Sequence, residues 1–197
     1  PVNKPGGSKF LDRSDLWAAE GQLNISDAFH FSDKIEVLGG VQWKQWVLNS
    51  KGTIFADTLA PIKVNETGAY IQLKKKLFND ILTLSAAGRY DKQTNFEGKF
   101  TPRVAAVIRV AKDNNIRLSY QTSYRFPSNQ NQYISLRIGG GTSYLISSSP
   151  EFQDYYKLST TKPRYTAASV LSYRAGTLAD SNRLVRATFK QLKPETV

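Results

Sequence analysis

Few residues of the chain have types and spacings that suit catalysis. His30 is the only histidine and cysteine is absent, which excludes a thiol nucleophile and a zinc site built on thiolates. No serine–histidine–aspartate arrangement can be assembled around His30 with any specificity. Asp12, Asp15 and Glu20 lie close together in the sequence but lack the ligand spacing of a calcium loop. The sequence therefore predicts a protein that is not an enzyme, with no catalytic residues, no metal site and no cofactor.

Tyrosine and arginine are frequent in the part of the chain that follows Phe126. Tyrosine offers a large amphipathic contact area at a low cost in conformational entropy. We interpret Tyr133, Arg137 and Tyr144 as ligand-contact residues on a long loop. The alternative interpretation is that these side chains only pack the loop, and the sequence leaves both interpretations open.

Apolar and polar residues alternate in six segments before Phe126. Side chains at alternate positions of a strand share a face, so the pattern predicts six strands, each with one apolar and one polar face. The predicted strands are residues 17–25, 35–47, 67–77, 82–91, 100–110 and 116–125. Short connections follow the odd strands, and longer polar loops follow the even ones, at 49–65, 91–99 and after 126. This alternation indicates an up-and-down antiparallel sheet with two unlike ends.

Basic residues keep to the polar face of the predicted strands. In a transmembrane barrel this face lines the interior, because a cation facing the bilayer midplane costs about 2–4 kcal/mol. The arginines that we predict to face the lumen are Arg89, Arg103, Arg109, Arg117 and Arg125. Lys75 breaks the rule, but it lies near a short turn, where its ammonium can extend to the lipid headgroups. The formal net charge of +11 is thus spread along strands, without a nucleic-acid recognition motif, and we expect no nucleic-acid binding.

Large aromatic residues mark the long-loop end of the apolar face. Barrels carry such an aromatic girdle where strands cross the membrane interface, whereas a soluble sandwich scatters its aromatics through the core. The predicted girdle consists of Trp17, Trp43, Tyr90, Phe100 and Tyr124. Only the third strand lacks a large aromatic at this level.

Several of these segments resemble the barrel of TonB-dependent outer-membrane receptors. The resemblance runs through residues 66–80 and 82–91 and is strongest in Phe100-Thr101-Pro102-Arg103 and in residues 115–130. The segments look like the SusC/RagA-like group, whose members carry an N-terminal carboxypeptidase-regulatory-like domain. The resemblance implies import of a bulky nutrient, a glycan or a peptide, across the outer membrane of a Gram-negative bacterium.

The resemblance also implies partners. These are a plug domain and the rest of the barrel, the TonB system, a SusD-like surface lipoprotein, and outer-membrane lipids with lipopolysaccharide. Neither a plug nor a TonB box is found in the sequence, and a transporter barrel of this class has about 22 strands. We therefore expect the chain to be a fragment of a receptor.

The predicted fold class is all-β, an antiparallel up-and-down transmembrane β-barrel segment with a long, partly helical external loop. Residues 1–125 would hold six consecutive strands with short periplasmic turns, and residues 126–197 the extracellular loop. Within this loop, helix starts are expected at Ser149-Pro150-Glu151 and at Asp180-Ser181. The alternative function is a soluble all-β carbohydrate-binding module, and a structural or secretion component of the outer membrane would share the same strand pattern.

Overall fold

A computed structural model describes residues 10–31, 33–138, 143–149, 152–154, 157, 164–176, 183–188, 190 and 192–196 of the chain. These residues form two compact units that interleave along the sequence. The sheet unit comprises the described parts of Asp15–Val47, Lys63–Phe126 and Pro194–Val197. The loop unit comprises the described parts of Pro1–Ser14, Leu48–Ile62 and Pro127–Lys193.

Six strands form one sheet in the order in which they follow along the chain. They are β1 (Asp15–Asn24), β2 (Ile35–Leu48), β3 (Ile62–Leu77), β4 (Leu82–Gln93), β5 (Phe96–Ala111) and β6 (Asn114–Gln121). The further elements are β7 (Tyr124–Arg125), α1 (Ile25–Ala28), α2 (Asn129–Tyr133), β8 (Ser135–Ile138), β9 (Ser143–Ile146), α3 (Ala167–Arg174) and β10 (Glu195–Thr196). The predicted all-β fold class and the meander are confirmed. Within the described residues the sheet is open, because β1 and β6 are its two edges.

Short polar segments make the connections at one end of the sheet. Between β1 and β2, Asn24 caps α1 by accepting hydrogen bonds from the backbone N–H groups of Ser26 and Asp27 at 3.2 and 3.5 Å. Between β3 and β4, Phe78, Asn79 and Asp80 take φ angles of 52°, 50° and 65°. This left-handed conformation is tolerated by Asn and Asp better than by most residues, which explains why the strand ends there.

The prediction of a long loop at residues 91–99 is wrong. β4 continues to Gln93 and β5 begins at Phe96, so a tight turn at Thr94 and Asn95 joins them. Thr94 is held by β3, because its N–H donates to the Asn65 carbonyl at 3.0 Å and its hydroxyl accepts from the Asn65 N–H at 2.9 Å. Polar residues at these strand ends hide the apolar–polar alternation, although the hydrogen-bonded pairing continues.

The end of the predicted sixth strand also differs from expectation. β6 ends at Gln121, and the pairing with β5 closes with the Thr122 N–H donating to the Pro102 carbonyl at 3.1 Å. β7 pairs instead with β10, so that Tyr124 lies opposite Thr196 and Arg125 opposite Glu195. Alternation alone cannot detect this exchange of partner.

The loop unit is built around a buried carboxylate as well as an apolar cluster. Its buried apolar side chains are Leu48, Phe55, Ile134 and Phe152. Asp57, which is 4% exposed, accepts hydrogen bonds from the Ser50 N–H, the Ser50 hydroxyl at 2.7 Å, and the N–H groups of Lys51 and Gly52 at 3.2 and 2.7 Å. The Ser50 hydroxyl oxygen in turn accepts from the Phe55 N–H at 2.9 Å. One carboxylate thereby fixes the whole turn between β2 and β3.

Segments distant in sequence join this turn. The Thr53 hydroxyl accepts from the Leu11 N–H at 2.9 Å and donates to the Leu11 carbonyl at 3.0 Å. On the other side, Phe55 forms an isolated antiparallel bridge with Ile134. The division of the chain at residues 125/126 remains a prediction. The compact loop unit itself is formed by three separate stretches of the chain.

Buried hydroxyls hold the part of the loop unit that follows α2. Ser147 donates to the Asn131 carbonyl at 2.9 Å, and Ser149 donates to the Gln132 carbonyl at 3.0 Å. The Ser149 oxygen accepts from the Phe152 N–H at 3.3 Å, as a helix cap does, and residues 152–154 are helical. Pro150 and Glu151 of the predicted helix start, and the second predicted start at Asp180-Ser181, lie outside the described residues. α3, which Thr166 caps, was not predicted.

Asp57→Asn is expected to open the loop unit. The substitution removes a charge that receives four hydrogen bonds and should lower the free energy of unfolding of this unit by about 3 kcal/mol. Trypsin cleavage after Lys51, measured on the folded protein, should then become much faster. Asp113→Asn, in an exposed turn, is the matched control and should leave the cleavage rate unchanged. Equal cleavage rates in the two variants would show that the carboxylate does not hold the turn.

Candidate functional site

The apolar face of the sheet is exposed over all six strands. Strand pairing places Leu84 opposite Ala106 and Ala106 opposite Leu118, so the apolar residues of neighbouring strands share one face. Trp17 is 64% exposed and Leu118 63% exposed. Among the described residues of the sheet unit, Val64 is the only buried apolar side chain. An apolar surface of this extent is a site for lipid or for another protein, and a soluble sandwich would have buried it.

The polar face is the concave face of the sheet. Glu20 of β1, Arg89 of β4, Arg103 of β5 and Gln121 of β6 line a single cavity of about 470 Å³. In a flat sheet β1 and β6 would lie about 24 Å apart. One cavity of this volume reaches both strands because the sheet curves toward its polar side. Glu20 also interacts electrostatically with Arg89 across the intervening strands, which fits the same curvature.

Ion pairs neutralise one part of this concave face. Lys44 pairs with Glu66 at 3.6 Å, and Lys74 pairs with Glu36 at 3.1 Å, both between β2 and β3. Each of these pairs is partly exposed and contributes little to stability, so their main effect is to favour one register of β2 on β3. The Lys76 N–H donates to the Lys34 carbonyl at 2.9 Å in the same register.

The positive charge that remains is concentrated on β5 and β6. Arg89 is bound by Asp91 at 2.6 and 2.7 Å within β4. Arg103 and Arg117 form no ion pair with any residue in the described ranges, and both are exposed. The concave face is therefore balanced on β2 and β3 and basic on β5 and β6.

The predicted lumen arginines do not form one cluster. Arg89 and Arg103 line the cavity, and Arg117 lies on the same face of β6, opposite Val107. Arg109 is nearer the short turns, where its guanidinium donates to the Asn79 carbonyl at 3.2 Å. Arg125 lies in β7, outside the six-stranded sheet. Their position relative to a lumen remains a prediction.

Three of the predicted girdle residues, Trp17, Trp43 and Tyr90, follow a slanted line across the apolar face, whereas Phe100 lies level with Tyr90 and Tyr124 lies outside the six-stranded sheet. The ion pairs and the Lys76–Lys34 hydrogen bond between β2 and β3 imply a register that sets Val41 opposite Ala69. Gly21, Val41, Ala69 and Tyr90 then lie in one row, since Gly21 is paired with Val41 and Ala69 with Tyr90. Trp17 lies four positions before Gly21, and Trp43 lies two positions after Val41, so both are displaced toward the long-loop end. With about 3.3 Å per residue and about 4.8 Å per strand, the line is inclined to the row by roughly 40°. Barrel strands tilt by about 35–45°, so a line at this slope would run level around a barrel.

Close packing fixes the girdle rings that lie on β4 and β5. Tyr90 and Phe100 are directly opposite each other. Each ring covers a glycine of the neighbouring strand, because a Cβ on Gly98 would meet the Tyr90 ring and a Cβ on Gly88 would lie 2.6 Å from Phe100. Tyr124 lies apart in β7 and packs edge-on against Phe126, with ring centroids 5.0 Å apart.

Two of the three predicted ligand-contact residues lie together. Arg137 of β8 is paired with Tyr144 of β9, and its guanidinium carbon lies 5.9 Å from the centroid of the tyrosine ring, as in a cation–π contact. Both side chains are exposed. Tyr133 ends α2, and its carbonyl accepts from the Ala56 N–H at 3.1 Å. Sequence reasoning missed this anchoring by residues 48–62, because no local pattern signals a partner so distant along the chain.

The described residues contain no group of three or more side chains that could hold a metal ion. Within the same residues, no helix has the length and apolar character needed to cross a membrane.

A comparison with protein families matches almost the whole chain. The family model described as "TonB dependent receptor-like, beta-barrel" matches residues 3–197. No curated protein and no solved structure matches the chain.

The two faces should differ in what they contact. A nitroxide spin label attached at Leu118→Cys should collide more often with dissolved oxygen than with a water-soluble nickel complex, because position 118 lies on the exposed apolar face. A label at Ser119→Cys, on the opposite face, should show the reverse. The chain has no cysteine of its own to compete for the label. The same collision preference at both positions, measured in membranes containing the intact protein, would contradict this sidedness.

Proposed function

Because the chain belongs to the family of TonB-dependent receptor-like β-barrels, we propose that it forms part of the wall of an importer in the outer membrane of a Gram-negative bacterium. Members of this family are outer-membrane transporters and not enzymes, and they work with a plug domain and the TonB system. The chain would supply six neighbouring barrel strands and an external loop.

One observation carries this proposal beyond the family match. The sheet has an exposed apolar convex face and a charged concave face, which is the reverse of a soluble protein with a single buried core. A barrel wall needs this arrangement, because one face contacts hydrocarbon and the other faces water or a plug. The slanted line of Trp17, Trp43 and Tyr90 supports the same orientation. Nothing observed favours the soluble carbohydrate-binding module.

The basic part of the concave face suits an acidic surface. Arg103 and Arg117 offer rigid hydrogen-bond donors that carboxylates bind in a bidentate manner. We propose that they face the plug domain. The strands β1 to β6 would then lie in the wall with the short turns on the periplasmic side, in contact with lipid and, at the long-loop end, with lipopolysaccharide.

The loop unit is the proposed ligand surface. Arg137 and Tyr144 are exposed next to each other on a hairpin, and α2 with its terminal Tyr133 leads directly into that hairpin. An aromatic ring beside a guanidinium suits the apolar face and hydroxyls of a sugar, or the side chains and carbonyls of a peptide. The proposed substrate is therefore a bulky glycan or peptide. Capture together with a SusD-like lipoprotein, as in the SusC/RagA-like group, is the finer form of this proposal.

Replacing Tyr133, Arg137 and Tyr144 together by Ala should weaken ligand capture by the intact receptor. The change removes two aromatic contact surfaces and one guanidinium, so an affinity loss of about 10- to 100-fold is expected. The measurement is binding of candidate oligosaccharides and peptides to purified receptor, together with uptake by cells. Heat-resistant migration of the barrel in detergent gels should be unchanged.

Tyr173→Ala with Arg174→Ala is the matched control, because it removes the same residue types from α3 of the same loop unit. This control should retain binding. Normal binding in the triple variant would assign Tyr133, Arg137 and Tyr144 to loop packing, and loss of the heat-resistant form would show that they are needed for folding.

A further inference from the structure

A groove crosses the exposed apolar face between β3 and β6. Its volume is about 680 Å³. Ala86 lies between Leu73 and Val104 in neighbouring strands, and Ala106 lies between Leu84 and Leu118. The two alanines form the floor because the residues on either side are larger. The groove thus results from two small side chains among larger ones, and the rest of the apolar face does not share this feature.

A single cation lies at the short-turn end of this groove. Lys75 is paired with Leu84, lines the groove and is exposed. The apolar-face positions of β1 to β6 between the girdle line and the short turns are all described, and Lys75 is the only charged residue among them. It forms no ion pair with any residue that the structure describes.

The depth of Lys75 places its ammonium within reach of headgroups. Lys75 lies six positions beyond Ala69, which is paired with Tyr90 of the girdle, so it is roughly 15–20 Å from the girdle level. The apolar band of a barrel is about 25 Å tall. The distance from Lys75 to the edge of this band at the short-turn end is therefore one that a lysine side chain can span by extending along the surface.

We propose that the groove over Ala86 and Ala106 holds an acyl chain of an anionic phospholipid such as phosphatidylglycerol, whose phosphate binds the Lys75 ammonium. The inference rests on the proposed position in an outer membrane, where the short turns face the periplasmic leaflet. That leaflet contains phospholipid, whereas lipopolysaccharide lies at the long-loop end.

A second copy of the chain fits this groove less well. Two copies meeting face to face would bring their Lys75 side chains into the same apolar interface. The described apolar face offers no acidic residue between the girdle line and the short turns to pair with either lysine. A phosphate supplies the missing charge, and an acyl chain supplies the matching apolar body.

Native mass spectrometry of the intact receptor tests the site. The receptor is released from vesicles of phosphatidylcholine with one tenth phosphatidylglycerol, and the adduct with one phosphatidylglycerol is quantified. Lys75→Gln should reduce this adduct about fivefold, since one cation near the headgroups contributes that much to anionic lipid binding. Lys92→Gln is the matched control, because Lys92 is exposed on the same face but lies beyond Tyr90 at the long-loop end.

A substitution that fills the groove tests the contribution of the acyl chain separately from that of the Lys75 charge. Ala86→Leu should reduce the same adduct while Lys75 stays in place, and Ala19→Leu, on the same face of β1, should not. Equal adducts in Lys75→Gln and Lys92→Gln, or an unchanged adduct in Ala86→Leu, would overturn the proposal. The proposal would also be overturned if added lipopolysaccharide, and not added phospholipid, displaced the bound phosphatidylglycerol. Heat-resistant migration confirms that each variant is folded, and normal ligand capture in all four variants would distinguish failure of this site from failure of the proposed function.

Discussion

The two faces of every strand must meet different surroundings, and the rest of the structure depends on this constraint. Side chains alternate across a strand, so a one-residue slip in register would move the charges of that strand to the apolar face. Each cation moved to the middle of a membrane would cost about 2–4 kcal/mol. The Lys44–Glu66 and Lys74–Glu36 pairs act against such a slip between β2 and β3. The concave cavity, the slanted line of Trp17, Trp43 and Tyr90, and the apolar groove over Ala86 and Ala106 all depend on this register.

The loop unit is stabilised in a different way from the sheet unit. Its apolar cluster is small, and much of its order comes from buried polar groups whose hydrogen bonds are made within the unit. Asp57, Ser50, Ser147 and Ser149 are buried and bind backbone groups that would otherwise lack partners. Such groups specify one conformation, because each would be costly if left unpaired. A rigid loop can then present Arg137 and Tyr144 without first paying the entropy of ordering them.

The centres of the strands could be predicted from the sequence because the membrane-facing band enforces alternation there. Beyond that band the constraint ends, and Lys92, Gln93 and Lys99 are strand residues that the alternation in the sequence does not mark. The pairing of Tyr124 and Arg125 with Thr196 and Glu195 could not be predicted either, because it depends on a partner far along the chain. For the proposed ligand surface, residue type pointed to Arg137 and Tyr144. Their direct pairing in a hairpin, and the Asp57 turn of the same unit, required the structure.

The interleaved make-up of the loop unit has a consequence for how the chain folds. Each strand of the sheet pairs with its neighbour in sequence, so hairpins of low contact order can form one after another. The loop unit instead needs Leu11 at Thr53 and Phe55 at Ile134, contacts that close long stretches of chain. Its assembly must wait until these distant segments have been synthesised and brought together. The rate-limiting step would then be loop closure and not strand pairing, and the proposed binding surface would be the last part of the molecule to form.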